Sequence, residues 1–108
     1  MVHGGGFVPY QAGPFKHGWQ VRAEPRATLK TPPQASLDKL LFDTIVQGRP
    51  ALEFLVSSCT AARVLLGSDY PFDIGTLECA RQVEALSIPE TDKATILGGA
   101  AMRLLALA

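Results

Sequence analysis

Two side chains are the first candidates to carry chemistry, Asp69 and His3. Asp69 follows Arg63-Val64-Leu65-Leu66-Gly67, apolar on both parities as a strand buried on both faces is, and Pro71 stops the extended segment from continuing. A carboxylate directly after such a strand sits where barrel enzymes place catalytic groups, with Asp73 in the same loop. A plainer role, capping a turn or the next helix, suits Asp69 equally well. His3 opens His3-Gly4-Gly5-Gly6, either the end of a strand whose earlier residues are absent or a flexible glycine linker. The same run serves some esterases as an oxyanion loop, but that chemistry needs a Gly-x-Ser-x-Gly elbow. Ser68 lies in Leu66-Gly67-Ser68-Asp69-Tyr70 and does not supply one. Tyr10, Phe15, His17 and Trp19 gather in a proline-rich stretch, to line a pocket or simply to pack on one another. Asp43 ends an earlier apolar run and either faces the same pocket mouth or bonds loop amides. A protein zinc site takes three or four ligands. This sequence offers only His3, His17 and nearby carboxylates, with no His-x-His pair, and Cys59 and Cys79 lack C-x-x-C spacing.

The elements that must hold these groups can be read from periodicity. Residues 1–36 carry Pro9, Pro14, Pro25, Pro32 and Pro33 without a sustained apolar period, which predicts mostly loop with a short helix near Phe15–Val21. Leu40-Leu41-Phe42, ending on Asp43-Thr44, reads as a buried strand. Pro50 suits the first turn of a helix. Leu52, Leu55, Val56 and Cys59 then fall at i, i+3, i+4 and i+7, one apolar stripe in which Cys59 is a buried, inert thiol. A second strand spans residues 63–67. Beyond Gly75, Leu77, Ala80 and Val83 share a helical face, Ser87-Ile88-Pro89-Glu90 resembles a capping box, and Gly98-Gly99 closes that helix. A last short helix carries Met102, Leu104 and Leu105. The order loop, strand, helix, strand, helix, helix is that of a parallel α/β sheet. Two strands buried on both faces cannot close a sheet, and a (β/α)8 barrel takes about 250 residues. The sequence therefore reads as part of a domain.

Composition narrows the function. The 108 residues hold ten basic and ten acidic side chains, a net charge of zero, 47% hydrophobic and 19% charged residues. That balance excludes a disordered polyelectrolyte and gives no footprint for nucleic acid or a polybasic membrane contact. No uncharged apolar run approaches the ~20 residues that span a bilayer. Met1-Val2-His3-Gly4-Gly5-Gly6 has no basic or apolar signal region, so the expected location is cytoplasmic.

Longer stretches carry a family resemblance. His3-Gly4-Gly5-Gly6-Phe7-Val8-Pro9-Tyr10, Gly13, His17-Gly18-Trp19, Leu41-Phe42-Asp43-Thr44, Val64-Leu65-Leu66-Gly67-Ser68-Asp69-Tyr70-Pro71-Phe72 and Ile96-Leu97-Gly98-Gly99 follow one another in order. Together they resemble the C-terminal portion of the amidohydrolase-related decarboxylases of the 2-amino-3-carboxymuconate-6-semialdehyde decarboxylase-like family. The resemblance implies a C-terminal fragment of a distorted (β/α)8 barrel, from the end of strand six to strand eight. Residues 1–36 would be its active-site loop region, and residues 37–108 the last two βα units with the C-terminal helices. It implies a divalent metal, usually zinc, in the complete enzyme, with Asp69 as a metal ligand and His3 as the acid/base acting on metal-bound water. Phe7, Tyr10, His17, Trp19 and Phe72 would contact a small carboxylate substrate, a semialdehyde or aromatic acid.

Departures from the family pattern bear on that expectation. The His-x-His pair and the strand-five His of the family are not in this chain. Pro14 stands where relatives carry an Arg that binds the substrate carboxylate, often across a dimer interface, and Ala100 stands where they often carry Asn. Two classes of function follow. One is part of a metal-dependent decarboxylase, or of a lactone or amide hydrolase, inactive without the rest of the barrel. The other is a truncated, non-catalytic interaction module. In either case open strand edges favour self-association or pairing with an upstream barrel fragment.

Overall fold

The computed structural model describes residues 1–107. Strands form where the apolar runs are continuous, and they are short. β1 (Phe42–Asp43) and β2 (Val64–Leu65) run parallel, with Phe42 opposite Val64 and Asp43 opposite Leu65. A third strand end lies on the far side of β1. The Met1 ammonium donates to the Leu41 carbonyl at 2.5 Å, and the Asp43 N–H donates to the Met1 carbonyl at 3.3 Å. This is the slanted bonding of a parallel pair. Strand ends at Met1, β1 and β2 thus lie side by side and head the same way. Residues 40–41 stay outside the ladder. Arg63, expected within the second strand, ends a 3₁₀ turn (Ala61–Arg63) instead, and the Leu66 N–H turns to the Ile96 carbonyl at 3.2 Å.

The proline-rich segment departs from expectation. The short helix expected near Phe15–Val21 is present within α1 (Ala12–Val21), but residues expected to be loop also form α2 (Ala23–Thr28) and α3 (Gln34–Leu37). Pro14 and Pro25 are each the third residue of their helix, and Pro33 immediately precedes α3. A first turn has no use for the N–H that proline lacks, so prolines that read as breakers are here helix starts. None of the three helices buries a residue. Together they form an arm held by polar bonds: the Trp19 indole N–H donates to the Leu29 carbonyl at 2.9 Å, and Arg26 donates to the carbonyls of Trp19 and Gln20.

Arg63 fastens the arm to the sheet. Its guanidinium donates to the carbonyls of Leu37 at 2.7 Å and Leu40 at 3.0 Å, pairs with Asp38 at 3.2 Å, and lies over the Phe42 ring, 5.6 Å from its centre.

α4 (Arg49–Cys59) has Pro50 in its first turn and buries Leu52, Leu55, Val56 and Cys59, the stripe read from spacing. These pack on Phe42, Val64, Val83, Leu86 and Ile96 to make the core. Three expectations fail in the last third. Leu77 does not share a helical face with Val83, because α5 (Cys79–Glu84) begins after it; Val83 is fully buried while Leu77 is 81% exposed. Ser87 makes no capping box: Pro89 precedes α6 (Glu90–Ala94) without a side-chain cap, and the Ser87 hydroxyl accepts from Arg49 at 2.8 Å. Gly98-Gly99 does not end the helix. The chain passes through a π turn (Thr95–Gly99) into α7 (Ala100–Leu104), with Gly99 at helical φ −58° and ψ −38°. A glycine ends a helix by turning left-handed, and Gly99 does not turn.

The radius of gyration is 15.4 Å and the extents are 46 × 32 × 27 Å. A compact chain of this length has a radius of about 13 Å. The excess suits a piece of a sheet whose arm stands off the core.

Candidate active site

His3 sits just past the first strand end, in a 3₁₀ turn (His3–Gly5), with φ +52°, a left-handed conformation uncommon for a side-chain-bearing residue. The Asp43 carboxylate holds it there: one oxygen accepts the His3 N–H at 3.0 Å, and the other accepts the Gly4 N–H at 2.9 Å and the Ile45 N–H at 3.1 Å. Of the two roles open to Asp43 from sequence, this is the bonding of loop amides. Gly4, at φ +59°, leaves no room for a Cβ, which would lie 2.2 Å from Val46 Cγ1.

Asp69 lies past the end of β2 with φ +58° and is half-buried. Its carbonyl accepts the Phe72 N–H at 2.9 Å, while its carboxylate makes no hydrogen bond or ion pair among the described residues. The loop closes on itself through Thr76 N–H to the Ser68 carbonyl at 2.8 Å and Gly75 N–H to the Phe72 carbonyl at 3.0 Å. A Cβ on Gly75 would meet the carbonyl oxygens of Ser68, Asp69 and Phe72 at 2.7–2.9 Å, so this ring requires glycine. Thr44, 1% exposed, ties the loop to β1: its hydroxyl accepts the Gly67 N–H at 3.1 Å and donates to the Gly67 carbonyl at 3.2 Å. Gln47 also donates to the Ile74 carbonyl. Because the strands are parallel, His3 and Asp69 follow strand ends and Asp43 closes its own strand on one side of the sheet.

The aromatic residues divide among three places. Tyr10 lines an open cavity of about 380 Å³ together with His3, Ile45, Gln47 and Phe54, its ring tilted 55° to that of Phe54 at 6.1 Å. Phe7 is exposed beside this turn. Trp19 and Phe15 line a separate apolar groove on the arm with Leu29 and Pro14, and His17 is exposed on α1. Phe72 faces a small cleft of about 110 Å³ in the Asp69 loop. The aromatics that sequence grouped around Trp19 are therefore split, and only Tyr10 joins His3. Thr44 and Gln47 went unmarked in the sequence; a polar residue directly after a strand end was the available signal for Thr44.

No group of three or more His, Cys, Asp or Glu side chains converges to hold a metal ion among the described residues. Asp69 can offer a carboxylate and His3 an imidazole, but these residues do not make a metal site by themselves.

In fold the chain is similar to about one third of the length of solved decarboxylase structures built as (β/α)8 barrels. It superposes on 5-carboxyvanillate decarboxylase from Sphingomonas paucimobilis with a TM-score of 0.83 at 21% identity, over 99% of this chain and 33% of that one. A dihydroxybenzoic acid decarboxylase from Polaromonas with bound manganese and 2-nitroresorcinol gives 0.81 at 21% identity, over 98% and 32%. A 2,6-dihydroxybenzoate decarboxylase in complex with 2,6-dihydroxybenzoate gives 0.81 at 24% identity, over 98% and 33%. In sequence the chain is related to 2-amino-3-carboxymuconate-6-semialdehyde decarboxylases. It is 36% identical to that of Dictyostelium discoideum over 99% of this chain and 40% identical to that of Caenorhabditis elegans over 78%. The chain spans 30% and 21%, respectively, of the length of those two relatives. No family model matches the chain.

Proposed function

We propose that these residues are the C-terminal third of a decarboxylase barrel acting on an aromatic carboxylic acid or a semialdehyde, and that they contribute His3 and Asp69 to its site. The observation that carries this reading is the parallel sheet, which sets both residues past strand ends on one side, where barrel enzymes work. In decarboxylation the bond from carbon to carboxylate breaks, its electron pair stays on the carbon, and a proton replaces the departing carbon dioxide. In this reading His3 is the proton carrier and Asp69 a carboxylate on the same side of the sheet. One structural neighbour, the dihydroxybenzoic acid decarboxylase, holds manganese. Here the metal, zinc by family resemblance, needs ligands from outside residues 1–108, so its chemistry belongs to the assembled barrel. Tyr10, bordering the His3 cavity, and Phe72, in the Asp69 loop, are the aromatic residues best placed to contact substrate. Pro14 replaces the family's carboxylate-binding Arg, which favours a substrate with one carboxylate over two.

A graft tests the reading. Residues 1–107 replace the matching stretch of the Dictyostelium relative, and carbon dioxide release is measured with the semialdehyde and with 2,6-dihydroxybenzoate. Turnover is expected, and His3→Ala or Asp69→Ala lowers kcat by about 10²-fold or more. A graft that folds and binds metal yet turns over neither substrate favours the non-catalytic module.

A further inference from the structure

Asp43 and Thr44 are adjacent residues at the end of the middle strand, and their side chains engage opposite neighbours. Asp43 accepts the amides of His3 and Gly4 on one side. Thr44 both accepts from and donates to the backbone of Gly67 on the other. Asp43 is the last residue of the ladder and Thr44 the first beyond it, and their side chains reach the segments on either side, where backbone groups past the strand ends need partners. His3 and Asp69 both hold positive φ without being glycine, a conformation that persists only where surroundings enforce it. The bonds from Asp43 fall on His3 itself and on the next residue. Those from Thr44 fall on Gly67, two residues before Asp69, and the Asp69 loop begins there.

We propose that Asp43 and Thr44 are paired positioning residues: Asp43 sets His3, Thr44 sets the Asp69 loop, and the rigid middle strand fixes the spacing between them. The pairing rests on the reading of His3 and Asp69 as the site groups, but the bracket itself is read from loop order and needs no turnover. The chemistry suits each task. The His3 turn presents two N–H donors and Ile45, two residues beyond Asp43, a third; a carboxylate is acceptor-only, so it serves all three. Gly67 presents one donor and one acceptor, and a hydroxyl serves both. Gly67 also comes close to the strand, a Cβ there lying 3.3 Å from that of Asp43.

Hydrogen exchange read by mass spectrometry on the 108-residue chain tests this, with peptides covering residues 1–8 and 66–77. Asp43→Ala is expected to speed exchange in the first peptide about tenfold and leave the second unchanged. Asp43→Asn falls between, since its amide turns one acceptor into a donor facing N–H groups. Thr44→Val speeds the second peptide and spares the first, and Thr44→Ser restores wild-type exchange. Changes in neither peptide, or equal loosening of both by either variant, would overturn the bracket. Should the variants not fold, the unaltered chain still decides: the amides of His3, Gly4 and Gly67 must exchange slowly, and exchange as fast as in an unstructured peptide refutes the proposal. An inactive graft with intact loop-specific exchange would remove the catalytic reading and leave the bracket standing.

Discussion

At the scale of single residues, Gly4 and Cys59 give the sharpest expectations. Gly4→Ala must place a methyl group into Val46 at a left-handed φ, so a loss of about 1–3 kcal/mol is expected in urea unfolding. Gly13→Ala, helical and facing open space, should lose nothing by the same measurement. Burial raises the Cys59 thiol above its ordinary value of 9.0, and the nearby Arg63 charge opposes this only in part. A thiol that holds its proton longer in the folded than in the unfolded chain favours the fold below that value. The contribution is lost as pH rises through the folded pKa. Unfolding free energy should therefore fall from pH 8 to pH 10 more steeply in the wild type than in Cys59→Val. The positions of His3 and Asp69 past strand ends and of Cys59 in the core could be read in the sequence because each stands against a clear pattern: glycines, an apolar strand, an apolar stripe. Thr44 was not, since nothing in its neighbours announces a bond to Gly67, twenty-three positions away.

Among the elements, the arm and its attachment are the least legible part and the easiest to perturb. Arg63 joins two carbonyls and Asp38 across more than twenty positions of sequence. Arg63→Ala should cost about 1–3 kcal/mol in thermal unfolding, and Arg63→Lys should recover only a fraction, because an ammonium cannot reproduce the planar fork. Periodicity found α4 because its face meets the core, and it placed β1 and β2 because their runs are apolar on both parities. It missed α2 and α3 because helices that bury nothing carry no apolar period. It ended the last helix too soon because Gly98-Gly99 is a stop signal only where the backbone turns left-handed.

For the whole molecule, the decisive fact is incompleteness: the chain matches about a third of the barrels it resembles. The free edges of a short parallel sheet, with Phe7, Tyr10, Phe72 and Leu77 all exposed, call for another surface. Sedimentation of the 108-residue chain at micromolar concentration should show self-association; a cooperative, well-folded monomer would contradict this. With no three candidate ligands converging among the described residues, titration with zinc or manganese should show no tight one-to-one binding. Tight binding abolished by Asp69→Ala would mean that this third of a barrel completes a site unaided. The fragment character was legible from length and strand count; which surface covers the edge was not, because an open strand edge pairs through its backbone and does not specify its partner.

The sole tryptophan has a consequence for anyone who watches this chain unfold. Trp19 is bonded to Leu29 and grooved among prolines of the arm, away from Phe42, Leu52, Val64 and Ile96. Its emission is a gauge of the arm alone, whereas ellipticity reports the helices of arm and core together. An arm with no buried residue can loosen first, and the two signals would then report different midpoints from one chain without any intermediate in the core.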